Sequence, residues 1–145
     1  MRFLLVMLLP ILLLSSCADP VQQEYERNVK LITAKKWKYD AESIREAAKS
    51  TLKTNQEEDL MNSALSRLEN TAFVFNEDGS MLLERPDQPL QGTWELSKDS
   101  KEFFILLPGT SNLSNPVESI AADRLVLGTD PEKGIIFPKI FIPAE

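Results

Sequence analysis

A catalytic group comes from a short list of side chains, and this sequence lacks the most versatile of them. It contains no His and a single Cys, Cys17. Without imidazole, the commonest general base and the commonest zinc ligand are gone. Without a second thiol, there is no disulfide within the chain and no Cys cluster to hold a metal. Most nucleophilic triads and dyads are excluded on the same grounds. Carboxylate chemistry is left, and it needs two acids held across a cleft. Glu57-Glu58-Asp59 has the composition of a cation site. It also stands where a first helical turn would be, and free N–H groups there favour acids with no metal present. The second reading is adopted. Glu95, beside Trp94, is the most strand-embedded acid, and alternation turns it outward. The other acids fall at turns, helix surfaces or wet strand faces. The expectation is a protein with no enzymatic activity, metal or cofactor.

Charge narrows the partners. The chain carries 22 Asp and Glu against 16 Lys and Arg, a net charge of -6 at pH 7. Nucleic acid is excluded, because phosphate binding needs clustered cations and a positive field. Attachment to anionic lipid by charge alone is excluded too. The densest basic run is Lys35-Lys36-Trp37-Lys38-Tyr39. It alternates, with apolar residues on one face and cations on the other. It is either a headgroup- or nucleic-acid-contacting patch or a half-buried strand whose wet side carries Lys, which discourages edge pairing. The second suits an acidic chain better.

The lone thiol takes its meaning from what precedes it. Arg2 supplies a minimal positive start, and residues 3–14 are almost wholly apolar. That run has the length of a signal-peptide core and falls short of the roughly 20 residues that span a bilayer. Leu14-Ser15-Ser16-Cys17 follows at once. The segment resembles the lipobox of bacterial lipoproteins: a branched apolar residue, two small residues, then Cys. The resemblance implies a signal peptide over residues 1–16 and a mature Cys17 bearing lipid on its thiol and an acyl group on its amine. More than one chain makes release from a membrane slow. Enterobacterial sorting retains lipoproteins with Asp directly after the Cys. Here that position is Ala18, so the resemblance implies the outer membrane.

These residues need elements to position them. Residues 17–30 are polar and read as a tether, with a short helix over 21–31 as the runner-up. Residues 31–39 form the first strand candidate. Residues 41–69 switch to a helical period: Ile44, Ala47, Ala48 and Leu52 share one face, and Leu60, Met61, Ala64, Leu65 and Leu68 another. Asp40 can cap the first of these helices. Thr54-Asn55-Gln56-Glu57 matches a capping box, which puts a break between two helices, or a kink in one, near residues 53–55. Strand candidates follow at 72–76, 80–85, 92–97, 102–107, 117–120, 124–127 and 135–142, with a loop over 109–116. Glu77-Asp78-Gly79 closes one hairpin and Ser97-Lys98-Asp99-Ser100 the next. Pro138 demotes the middle of the last strand to an edge or bulge. Short strands in succession suggest a meander that closes into a barrel or packs as a sandwich.

Phe73-Val74-Phe75-Asn76-Glu77-Asp78-Gly79 and Gly92-Thr93-Trp94-Glu95-Leu96 are the most distinctive stretches. With Trp37 in the first strand and a helical insertion after it, the chain resembles the lipocalin-like lipoproteins common in Bacteroidota. Ile120-Ala121-Ala122-Asp123-Arg124-Leu125-Val126-Leu127 fits their closing segment loosely. The resemblance implies a mainly β, α+β fold: an antiparallel up-and-down barrel of about eight strands over residues 31–145. The inward set is expected to be Trp37, Phe73, Phe75, Met81, Leu83, Trp94, Leu96, Phe103, Ile105, Leu125 and Leu127. Such a barrel holds one small apolar ligand or is filled by its own side chains. The inserted helices can plug one mouth and favour filling. Two uses stay open: carrying a small apolar ligand, or docking another envelope protein or a glycan.

Overall fold

The computed structural model describes residues 19–110 and 112–145. Leu14, Ser15, Ser16 and Cys17 lie outside the described residues. Among those described, eight strands run in sequence order round a closed barrel. They are β1 (Lys36–Tyr39), β2 (Ala72–Phe75), β3 (Ser80–Glu84), β4 (Leu90–Leu96), β5 (Glu102–Leu106), β6 (Leu113–Ile120), β7 (Leu125–Leu127) and β8 (Lys139–Pro143). Each pairs antiparallel with the next. The last returns to the first, with Trp37 opposite Pro143 and Tyr39 opposite Phe141. The sandwich alternative is thereby excluded, and no strand is left with an open edge. No helix among the described residues is long and apolar enough to cross a membrane.

Local chemistry sets the turns. In the β2–β3 hairpin, Asp78 Oδ1 accepts from the Ser80 amide at 2.9 Å, and Gly79 takes a φ of +83°. A positive φ suits glycine because no Cβ meets the backbone. In the β4–β5 hairpin, Ser97 Oγ accepts from the Glu102 amide at 2.9 Å.

Several strands differ in extent from the sequence reading. The first starts at Lys36 rather than 31, because residues 31–33 are the last turn of a helix, and β4 starts at Leu90 rather than 92. β6 begins at Leu113, inside the stretch read as loop, since Ser114 and Asn115 pair with Phe104 and Phe103. Its Ser, Asn and Pro content looks like a turn, but neighbouring β5 supplies the partners. β8 begins at Lys139, so Pro138 sits just before the ladder, where its missing N–H costs no bond. Ile135 instead bridges Asp130 across a short 3₁₀ turn, Pro131–Lys133.

The inserted helices fall within residues 41–69 as read, whereas the N-terminal stretch takes its runner-up reading, a helix, in place of a tether. The expected tether is helix α1 (Pro20–Thr33), capped by Asp19, whose Oδ1 accepts from the Val21 amide at 3.0 Å. Ile32 is fully buried in the barrel core, with Tyr25 and Val29 packed beside it. The helix touches β2 on one wall and β6 on another. It therefore stoppers the end that carries the β2–β3 and β6–β7 turns. The helical insertion, α2 (Ala41–Ala48) and α3 (Asn55–Arg67), packs mainly on the outside, and Leu68 at its end reaches the interior cluster. Ile44, Ala48, Met61 and Leu65 pack on Ile140, with Val126 and Phe137 alongside. Val126 and Ile140 face each other in the β7–β8 ladder and alternate with the inward Leu125, Leu127 and Phe141. The insertion thus covers the barrel's outer wall. Leu60, expected on its apolar stripe, is 56% exposed.

The break between α2 and α3 falls where the capping box put it. Thr54 Oγ1 accepts from the Glu57 amide at 3.2 Å, and Glu57 Oε2 accepts from the Lys53 and Thr54 amides at 2.6 and 3.1 Å. The Lys53 amide above all holds the Glu57 carboxyl below its usual range. Thr54→Ala is expected to cost about 1 kcal/mol. The readout is a lower urea midpoint at unchanged m-value.

Candidate functional site

The barrel interior is built by alternation. Trp37, Phe73, Phe75, Met81, Leu83, Trp94, Leu96, Phe103, Leu125 and Leu127 are buried in one cluster. Ile105, the remaining member of the expected set, is half-buried at its margin. The structure adds Tyr39, Phe141 and, from α1, Ile32. Tyr39 has the parity of Trp37 and was legible from it. Phe141 was hidden by Pro138, which obscured the register of the last strand.

The rings meet across the interior. Tyr39 lies 4.7 Å from Phe141 and 5.0 Å from Phe73, centroid to centroid. Phe75 lies 5.4 Å from Phe103 and 5.5 Å from Trp94, and Trp94 stacks on Phe103 at 5.5 Å. These distances are those of attractive aromatic pairs. Each indole is pinned by its nitrogen: Trp37 Nε1 donates to the Ile32 carbonyl at 2.8 Å, and Trp94 Nε1 to the Asn76 carbonyl at 2.8 Å. The first of these bonds ties the barrel wall to α1.

One polar pair interrupts the apolar interior. Lys139 stands opposite the inward Leu127, so its side chain turns into the barrel. Its ammonium donates to Asn115 Oδ1, and Asn115 Nδ2 donates to the Phe103 carbonyl at 3.2 Å. Burial drops the Lys139 ammonium to about 8. It raises the Tyr39 phenol above its ordinary range. Neither Asn115 nor Lys139 was picked out in the sequence. They sit on β6 and β8, and only barrel closure brings them together.

The basic run is mostly engaged. Lys36 Nζ pairs with Glu84 at 2.7 Å. Lys35 donates to the Ala122 carbonyl and lies over the Trp37 ring at 5.8 Å. Lys38 makes no ion pair among the described residues. Of the acids singled out, Glu57 serves as a helix cap, and Glu95 points outward beside the β2–β3 turn. Among the described residues no group of three or more His, Cys, Asp or Glu is placed to hold a metal.

Grooves lie on the outside. A trough of about 510 Å³ runs between α2 and α3, lined by Arg45, Lys49, Lys53, Glu58, Met61 and Asn62 among others. A second, of about 520 Å³, runs from Arg45 past Leu65 and Asn70 to Thr71 and the C-terminal Glu145. Arg45 lines both. A smaller groove of about 210 Å³ separates α1 from the β2–β3 turn.

The sequence matches no protein-family model and no curated protein. Among solved structures, the fold is similar to the crystal structure of a DUF4847 family protein from Bacteroides vulgatus, at 11% identity and a TM-score of 0.47, over 78% of this chain and 94% of that one.

Proposed function

We propose that this chain is a non-catalytic envelope lipoprotein, held to the membrane through lipid on Cys17. Its barrel serves as a filled scaffold that docks another envelope molecule on its outer surface. One observation carries the docking half: Tyr39, Phe73 and Phe141 on one side and Phe75, Trp94 and Phe103 on the other are joined across the interior by Phe75 and Phe141, 6.3 Å apart. A barrel of this strand number is just wide enough for side chains to fill or for one small ligand to occupy, and interiors pack like organic crystals. Rings in mutual contact take the place such a ligand would need. The grooves described above all open on the outer surface. The anchoring half rests on Leu14-Ser15-Ser16-Cys17 and the apolar run before it.

Native mass spectrometry of the protein purified from its own host tests the scaffold. The expected result is a mass with no companion beyond the covalent lipid, together with crosslinks from the outer surface to one envelope partner. A bound apolar molecule released only by denaturation would overturn it in favour of a carrier. The anchor is tested by growth with labelled palmitate. Wild type is expected to take up label, and Cys17→Ser to lose it entirely. Label persisting in the variant would sink the assignment of Cys17.

A further inference from the structure

We propose that the end of the barrel stoppered by α1 is held at the lipid surface, with the first turn of α1 in contact with it, because the lipid on Cys17 has almost no tether. The proposal rests on the anchoring half of the reading above and takes it from attachment to orientation.

The argument starts from a length. α1 begins at Pro20 and is capped by Asp19. Cys17 and Ala18 lie outside the described residues, but covalent geometry bounds their reach. The two steps from Cys17 to Asp19 span at most about 7 Å. A tether over residues 17–30 would have allowed about 45 Å, enough for a barrel to tumble freely. The actual leash is shorter than a helix is wide.

α1 cannot swing out to lengthen it without opening the core. Ile32 is fully buried, its carbonyl accepts from Trp37 Nε1 at 2.8 Å, and Tyr25 and Val29 pack on the same cluster. Lys35, just past the helix, donates to the Ala122 carbonyl in the β6–β7 turn. Tyr25 faces Glu77 and Gly79 of the β2–β3 turn across the small groove. The helix is thus fixed at several points, and Asp19 stands only about 9 Å along its axis from Tyr25. The opposite end, with the β3–β4 and β5–β6 connections, is a strand length away, roughly 20 Å for a strand such as β4.

The first turn of α1 suits contact with lipid. It carries no acid, although free N–H groups there favour one. Pro20, Val21, Gln22 and Gln23 are uncharged. Val21 is 49% exposed and, with Leu60 and Leu106, makes up the exposed large apolar residues among those described. An uncharged turn enters a headgroup layer without the repulsion that a net charge of -6 would bring at an anionic surface. The acids of the neighbouring rim, Glu77, Asp78 and Glu95, are repelled there, which limits contact to this tip. A partner protein would cover Val21 equally well, but only the bilayer is tied so close to it. Whatever the outer wall docks must then lie within about a barrel's length of the bilayer.

The test uses the full-length, lipidated protein in phosphatidylcholine vesicles containing headgroup-spin-labelled lipid. A fluorophore is placed on one introduced thiol: Gln23→Cys on α1, Glu77→Cys on the near rim, or Gln88→Cys in the β3–β4 connection. All three positions are exposed. Quenching is expected to be at least fivefold stronger at position 23 than at 88, with 77 between them. An insertion of about twelve Gly and Ser residues between Ala18 and Asp19 is expected to bring all three within twofold. Equal quenching at 23 and 88 without the insertion, or stronger quenching at 88, would overturn the orientation. A contrast that survives the insertion would overturn the short tether as its cause. A crosslink from position 23 to a second protein in native membranes, in place of lipid contact, would give the tip to that protein and overturn the lipid assignment. Flotation with the vesicles reports the anchor itself, and Cys17→Ser is expected to abolish it. A protein that floats but shows no contrast sinks the orientation alone, so the two readings fail separately.

Discussion

Trp37→Ala is expected to destabilise the fold by about 4 kcal/mol, within the range for emptying a buried aromatic site. Trp37 is 0% exposed. It stands in the strand pair that closes the barrel, opposite Pro143 on one side and Phe73 on the other. Truncation leaves a cavity where two walls meet and strips the Ile32 carbonyl of its donor. A buried acceptor left alone adds about 1–3 kcal/mol of its own. The loss is also directional, because that bond is the link from β1 to α1. Amide exchange in α1 is therefore expected to speed up more than exchange in α3, which packs on the opposite, outer face. Trp37→Phe restores most of the volume but not the N–H, and is expected to fall between wild type and Trp37→Ala. A urea-derived loss below about 1 kcal/mol for Trp37→Ala, or equal exchange in α1 and α3, would contradict this account.

The second large effect is a stability maximum displaced into alkaline solution. Lys139 titrates at about 8 in the folded chain and near 10.5 when unfolded. Between those values the unfolded chain holds a proton that the native one has released, so stability rises with pH across the window. Below pH 8 both states are charged, and the native one bears the cost of burying the ammonium. The full rise is up to about 3 kcal/mol. Tyr39 works the other way. Its phenol is raised by burial, so above its ordinary value near 10 the unfolded chain loses a proton that the native chain keeps, and stability falls. Urea midpoints measured from pH 7 to 11 are expected to climb, peak near pH 10 and decline. Lys139→Met removes the climbing limb and Tyr39→Phe softens the decline. A flat profile in wild type, or a climb that survives in Lys139→Met, would show that the ammonium is not shielded.

The barrel's inward residues were legible because period two is a local signal. Trp94 and Leu96, or Phe73 and Phe75, declare a shared face without reference to any other strand. The α2–α3 break was equally local, written in Thr54 and Glu57. What could not be read depends on partners remote in sequence. Asn115 sits among turn-forming residues and becomes a strand residue only because Phe103 pairs with it. Lys139 looks like a surface lysine until β8 is laid beside β7. Helix α1 was legible only as the runner-up to a tether, because its composition is polar and Tyr25, Val29 and Ile32 form a sparse inward stripe. Asp19-Pro20, a capping residue followed by proline in the first turn, was the overlooked sign of its start. Arg45 was legible as an exposed helical residue. That it lines two troughs was not, since that follows from how α3 folds back along α2.

The seam between β1 and β8 also dictates an order of events. Every other strand pair joins neighbours along the chain, and most are short hairpins that can form as soon as both strands exist. The pairing of Trp37 with Pro143 closes a loop on the order of 100 residues, which costs about 3 kcal/mol more entropy than a tight hairpin. Contacts of that range slow folding. Without β8 the curled sheet is an open gutter, and the five-residue strand Lys139–Pro143 is what closes it. Without it the unpaired edges of β1 and β7 are sticky to other chains. Strand β8 thus acts as a latch. Whatever delays its arrival extends the interval in which the molecule is prone to aggregate.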